Sequence, residues 1–208
     1  MSPRGEEDNR RIREQQRQRI AAAATRVFAR RGFAAARISD IAQAAKVSQG
    51  LVHHYFESKD ALFSELVREV MASATKVPEL AAQQPGTAMA RLRWYVQVVL
   101  AGMASRPEAV MLAWQAQGGA EAVPAEVVRG VHKSGKAALR RVTELVAAAQ
   151  ASGEAREGNP EALAAHLVAF LQGLALQAAF GPVPNGFPDV ELVMTVIGRQ
   201  AKPSPRNP

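Results

Sequence analysis

The chain of 208 residues contains no cysteine. That excludes a disulfide framework, a thiolate zinc site, a cysteine nucleophile and a thiol redox sensor, and nothing in the chain requires an oxidising compartment. Aromatic residues make up only 5%, which disfavours an all-β architecture. Long apolar runs are also missing. The opening MSPRGEEDNRRIREQQRQRI holds no signal-peptide core, and no later window supplies the roughly 18 uninterrupted apolar residues of a membrane span. Secretion and membrane insertion are therefore not expected, and the cytoplasm is the expected location.

What the chain does hold is 48% hydrophobic and 22% charged residues, the balance of a globular protein with a sizeable core. Forty-one alanines favour helix over strand. The net charge is +7, which suggests an anionic partner without naming one. Its distribution says more: residues 1–60 carry 12 basic and 7 acidic groups, whereas residues 61–208 carry 14 and 12. Most of the excess sits in the first third.

Glycine and proline divide the chain into helix-length segments, at Gly32, Pro78 to Gly86, Pro107, Gly118-Gly119 to Pro124, Gly153 to Pro160 and Gly181 to Pro188. Between them apolar residues recur at helical spacing, as in Leu62, Phe63, Leu66, Val67, Val70 and in Leu139, Val142, Leu145, Val146, Ala149. About nine helices and an all-α fold are expected. Asn159 before Pro160 reads as a cap with a first-turn proline, and Pro188-Asp189 opens a last helix, Val190 to about Arg199. The tail, residues 202–208, is expected to be disordered.

Residues 38–56, ISDIAQAAKVSQGLVHHYF, have the spacing of a helix-turn-helix. The second helix must cross the first steeply, so Ala42 has to be small, while Ile41, Ala45, Val47 and Val52 fill the wedge between them. Ser48 is placed to cap the second helix. Gln49, Gly50, His53 and His54 are left facing outward, and a helix presenting short polar groups from its N-terminal end fits the DNA major groove. Gln49 is the best candidate for reading a base edge.

From Arg11 to about Val70 the chain resembles the DNA-binding domain of the tetracycline-repressor (TetR) family. The resemblance rests on Ala24, Phe28, Gly32-Phe33, Asp40-Ile41-Ala42, Val47-Ser48, Gly50, His54-Tyr55-Phe56, Ser58-Lys59 and Leu62. It implies a three-helix DNA-binding unit, a linking helix, and a larger helical domain that binds a small molecule and dimerises. The implied boundaries are a disordered arm at 1–9, the DNA-binding domain at 10–57, the linking helix at 58–76 and the ligand-binding and dimerisation domain at 77–201. Carried over by position, Gln49, Gly50 and Leu51 face bases, and His53, His54 and Tyr55 touch the DNA backbone. Ser39 and Ser48 belong to the same DNA-binding set. Lys59 matches a phosphate-binding lysine, with Ser58 capping the helix it begins.

Three positions depart from the family pattern. Lys46 stands where glycine is usual; if its backbone is left-handed, that costs on the order of 1 kcal/mol, and a phosphate contact by Lys46 would offset it. Arg37 replaces the usual Ser or Thr cap opposite Asp40 and reads as a phosphate clamp. Leu51 replaces a frequent Thr and would favour a thymine methyl group. A metal at His53 and His54 is not expected, since adjacent helical residues point about 100° apart. Arg10, Arg11, Arg13, Arg17 and Arg19 admit two readings, a solvated helix face or backbone contact by the disordered start.

In the C-terminal domain, Trp94, Tyr95, Met103, Met111, Trp114 and Gln115 either line an apolar pocket or simply pack. Asn159 to Phe180 resembles, more weakly, the subgroup that includes the choline-responsive BetI repressors. There Leu163, Leu167, Leu171, Leu174 and Ala178 form a stripe suited to the subunit's own core. The other stripe, His166, Phe170, Gly173 and Gln177, is expected to join Val193, Met194 and Ile197 in a four-helix dimer interface, with His166 alternatively reaching the pocket. The resulting expectation is a homodimeric regulator, most often a repressor in this family, that binds an operator in double-stranded DNA. An unidentified small-molecule effector would release it. No cofactor, metal or membrane partner is expected. The alternatives are a sequence-tolerant DNA-binding protein and a TetR-like regulator without an effector. An enzyme is not expected, because His132 and His166 lack partners at a catalytic spacing.

Overall fold

The computed structural model describes residues 3–117, 123–181, 183 and 186–198. Among these residues it has nine helices and no strand: α1 (Pro3–Ala35), α2 (Ile38–Ala45), α3 (Gln49–Tyr55), α4 (Lys59–Ala82), α5 (Ala88–Ser105), α6 (Pro107–Gln117), α7 (Ala125–Ala151), α8 (Pro160–Phe180) and α9 (Val190–Met194). The fold is all-α. The expected disordered tail and the Gly118-Gly119 break lie outside the described residues.

Packing gathers the chain into two compact units. The first draws on Met1–Met71 and Glu108–His132, the second on Ala72–Pro107 and Lys133–Pro208. The expected single block 77–201 is therefore divided. Leu112 and Ala116 of α6, Val123 just before α7, and Val127 and Val131 at the α7 start belong to the same core as Ile20, Phe28, Ile41 and Phe63.

At the centre of the first unit Phe63 meets Phe28 edge-on at 5.2 Å and Phe33 at 4.6 Å, geometries in which ring edge and face attract. Gly32, at φ 76°, breaks the helical path of α1 just before Phe33, a left-handed conformation that glycine adopts at little cost. The start of α1 differs from expectation, because the helix begins at Pro3 and much of the supposed arm is helical. A proline suits a first turn, and pairs one turn apart support the segment, Asp8 with Arg11 at 3.3 Å and Glu14 with Gln18 at 3.0 Å.

In the second unit α5 packs against α8 and α9. The caps are as expected: Asn159 Oδ1 accepts from Glu161 and Ala162 N–H, and Asp189 Oδ1 accepts from Glu191 N–H. Leu163, Ala164, Leu167 and Leu171 of α8 are buried. By length and mean hydropathy, 1.3 over Pro160–Ala178, α8 is the one described helix able to cross a bilayer.

Two helix ends depart from expectation. Pro78 lies inside α4, which continues to Ala82; the following Glu-Leu-Ala-Ala favours helix and Ala81 is fully buried, which offsets the bond proline removes. The last helix stops at Met194 instead of reaching Arg199. Beyond it, Gly198 N–H donates to Met194 O at 2.8 Å and Ile197 O accepts from Arg156 N–H at 2.9 Å. The β-branched Thr195, Val196 and Ile197 also disfavour helix.

Candidate nucleic-acid interface

The geometry begins with small residues at a crossing. Ile41, Ala42 and Ala45 of α2 and Val52 of α3 are buried, and Val47 N–H donates to Ala42 O at 3.0 Å across the turn. Lys46 takes φ 54°, ψ 48° and is the one described non-glycine residue at positive φ. The turn thus adopts the left-handed conformation that its family position implied. Ser48 Oγ accepts from Leu51 N–H at 3.1 Å, which fixes the start of α3.

The outward face follows from this arrangement. Gln49, Gly50, His53 and His54 are exposed, as are Ser39, Lys46 and Ser48; Leu51 and Tyr55 are half-buried and pack on the core. His54 meets Tyr55 edge-on at 5.1 Å. At the C-terminal end, Phe56 is buried and Arg17 lies over its ring at 5.3 Å. Arg17 also pairs with Glu65 of α4. Arg17, counted in sequence with the basic start, therefore ties α1 to α4 and to the end of α3.

Two cationic candidates behave differently from each other. Arg37 is exposed and its guanidinium has no acceptor with which to cap α2. Half of the reciprocal cap survives nonetheless, because Arg37 N–H donates to Asp40 Oδ2 at 3.1 Å, and the same oxygen pairs with Arg31 at 2.9 Å. Lys59 points inward: its ammonium donates to Phe33 O at 2.9 Å, Ala36 O at 3.1 Å and Ala34 O at 3.4 Å. It also sits 4.5 Å from the Phe33 ring. All three of its donors go to carbonyls at the α1 end, so in this conformation Lys59 is a structural pin. Ser58 does cap α4, its Oγ accepting from Ala61 N–H at 3.0 Å.

Residues 20–66 match the family of bacterial regulatory proteins described as the tetR family. This segment is similar to the tetR-type DNA-binding domain. An HTH-type transcriptional regulator of Bacillus subtilis, YdgC, itself uncharacterised, is 36% identical over 63 residues, 30% of this chain and 32% of that one. The match spans about a third of that relative's length. Among solved structures, the MbdR regulator of Azoarcus sp. CIB superposes with a TM-score of 0.74 at 21% identity, covering 87% of this chain and 94% of that one. The ketosteroid transcriptional regulator KstR2 of Mycobacterium tuberculosis gives 0.72 at 17% identity, covering 88% and 95%. These likenesses carry the helical fold beyond the tetR-type domain.

The pocket candidates divide between the two units. Trp94, Tyr95 and Met103 on α5 and His166 on α8 belong to the second; Tyr95 and Met103 are buried, Trp94 half-buried and His166 exposed. Met111, Trp114 and Gln115 on α6 belong to the first, beside the tetR-type domain. Gln115 has a specific task there, donating its amide to Ala29 O of α1 at 3.2 Å while its own Oε1 is buried without a partner. Burial alone pushes the Tyr95 phenol up to about 12.

The dimer candidates divide as well. Phe170, Gly173 and Gln177 are exposed on α8, and a Cβ on Gly173 would meet nothing within 4 Å. Val193, Met194 and Ile197 are instead buried inside the subunit, at 0%, 3% and 0% exposure. The short α9 turns its apolar side inward, while on its exposed side Arg93 of α5 pairs with Glu191 at 2.7 Å and Leu192 is left outside at 59%.

Sequence reasoning missed Arg26, Arg30, Arg31 and Gln43, which line a cleft between α1 and α2. The available signals were the one-turn spacing of Arg26 and Arg30 on α1 and of Ser39 and Gln43 on α2.

Proposed function

We propose that the protein is a ligand-responsive transcriptional regulator that binds a near-palindromic DNA operator as a homodimer, acting as a repressor until a small-molecule effector releases it. The observation that carries this reading is the capped, exposed face of α3, with Gln49 and Gly50 at its start and His53 and His54 one turn on. Gln49 is suited to an adenine edge, Leu51 to a thymine methyl, and His53, His54, Ser39, Arg37 and Lys46 to flanking phosphates. Two such heads related by two-fold symmetry read half-sites about 34–36 Å apart.

The exposed α8 stripe of Phe170, Gly173 and Gln177 supports pairing of two copies. The weaker BetI-like resemblance makes quaternary ammonium compounds the first effector class to screen, with Trp94 and Trp114 as candidate cation-binding faces. Effector coupling of about 1–3 kcal/mol would suffice to weaken operator binding. The test is a mobility-shift assay on duplexes flanking the protein's own coding region. Retardation should weaken by at least about 10³-fold when the palindrome is scrambled at fixed salt; equal binding to both duplexes contradicts the reading and favours a sequence-tolerant DNA binder.

A further inference from the structure

The cleft between α1 and α2 has a volume of about 220 Å³ and is lined by Arg26, Arg30, Arg31, Asp40 and Gln43 among others. Three guanidinium groups face one carboxylate. Arg31 is matched to it at 2.9 Å, and the same Asp40 oxygen also accepts from Arg37 N–H. Among the described residues Arg26 and Arg30 have no ion pair, and both are exposed. The cleft therefore carries two positive charges without an ion-pair partner, on side chains one turn apart, with Gln43 also lining it.

Guanidinium forks match tetrahedral oxyanions, and Arg26 and Arg30, about 6 Å apart along the helix axis, can grip one phosphate from two sides. The location restricts the source of that phosphate. Gln43 lies one helical turn after Ser39 on α2, and both are exposed, so the cleft opens beside the α2 face that the proposed function turns toward DNA.

We propose that the Arg26–Arg30–Gln43 cleft is a phosphate site that clamps the DNA backbone outside the helix-turn-helix contacts, lengthening the footprint of each reading head along α1. The proposal rests on the DNA-binding reading above. It gives Arg31 a separate, positioning role: by neutralising Asp40 it keeps the carboxylate from repelling the incoming phosphate.

The experiment measures the affinity of the full-length protein for a 40-base-pair duplex from the DNA flanking its own coding region, and for a scrambled duplex, from 50 to 300 mM salt. The variants are Arg26→Gln/Arg30→Gln and Arg26→Lys/Arg30→Lys. Both residues are exposed, so thermal melting should stay at the wild-type value. The glutamine pair should flatten the plot of log affinity against log salt by about 0.9 for each lost contact, about 1.8 per reading head. It should weaken both duplexes by the same factor, leaving sequence preference untouched. The lysine pair should restore most of the slope.

A glutamine pair with the wild-type slope overturns the clamp while leaving the DNA-binding reading standing. Wild-type protein that binds neither duplex overturns both. A parallel titration with pyrophosphate separates the sources: shifts at Gln43 and Ala44 amides together with an unchanged DNA slope would assign the cleft to a free anion and overturn its assignment to DNA.

Discussion

The two units differ in how their charged and apolar side chains are placed. In the first, arginine and lysine side chains are arranged around a short, rigid helix pair. Some are locked into the scaffold, like Arg17 on Glu65 and Lys59 on three carbonyls; others, like Arg26, Arg30 and Arg37, are left toward solvent. The second carries 12 basic and 7 acidic residues against 14 and 12 in the first, so net charge does not separate the two, and its exposed apolar side chains include Phe170 and Leu192 at 39% and 59%. A surface that must meet a polyanion needs fixed cations, whereas one that meets a copy of itself needs a patch that water leaves readily.

The largest effect that should sharpen this contrast is Phe63→Ala. It removes the ring shared by Phe28 and Phe33 and should cost about 3–5 kcal/mol in urea unfolding. It should also broaden the amide signals of α3, whereas Leu167→Ala, at a fully buried site of α8, should destabilise by a similar amount and leave the α3 signals in place. Equal broadening by both variants would break the comparison. Next comes Lys59→Ala, which strips the α1 end of three charge-assisted bonds and should cost about 2 kcal/mol. A Lys59 engaged only with DNA would lose affinity and no stability.

The alkaline limb of stability should belong to the second unit. Tyr95 is held neutral by burial, with its folded pKa near 12 against an ordinary value near 10. Its contribution is complete below about pH 10 and is lost as pH rises through 12, because there only the unfolded chain readily gives up the proton. Melting temperature should therefore fall over that window, and Tyr95→Phe should flatten the fall. The smallest effect is a gain: Lys46→Gly relieves the left-handed residue and should raise stability by about 1 kcal/mol. It should also cost DNA affinity if the lysine touches a phosphate.

How much the sequence disclosed depended on the range of the interaction. Local chemistry was legible: Ser48, Asn159 and Asp189 cap as their identities suggest, the small Ala42 marks the crossing, and the Lys46 turn adopts the left-handed backbone anticipated for it. Long-range partners were not. Nothing near Lys59 in sequence signals that its ammonium turns toward carbonyls some 25 positions away. Val193, Met194 and Ile197 read correctly as an apolar face, but periodicity does not say whether the subunit's own α5 and α8 or a second copy covers it. Likewise Pro78 signals a helix end from its own chemistry, while the packing of Ala81 decides that α4 continues.

The central claim, that α3 reads DNA sequence, is tested most directly by selecting duplexes from a random library with the wild-type protein and with Gln49→Ala. The account predicts a symmetric site whose half-sites lie one helical turn apart, with Gln49→Ala relaxing preference at one base step in each half by about 1–3 kcal/mol and leaving the rest unchanged. Selection of no common sequence by the wild-type protein, or the same sequence logo from both proteins, would contradict it.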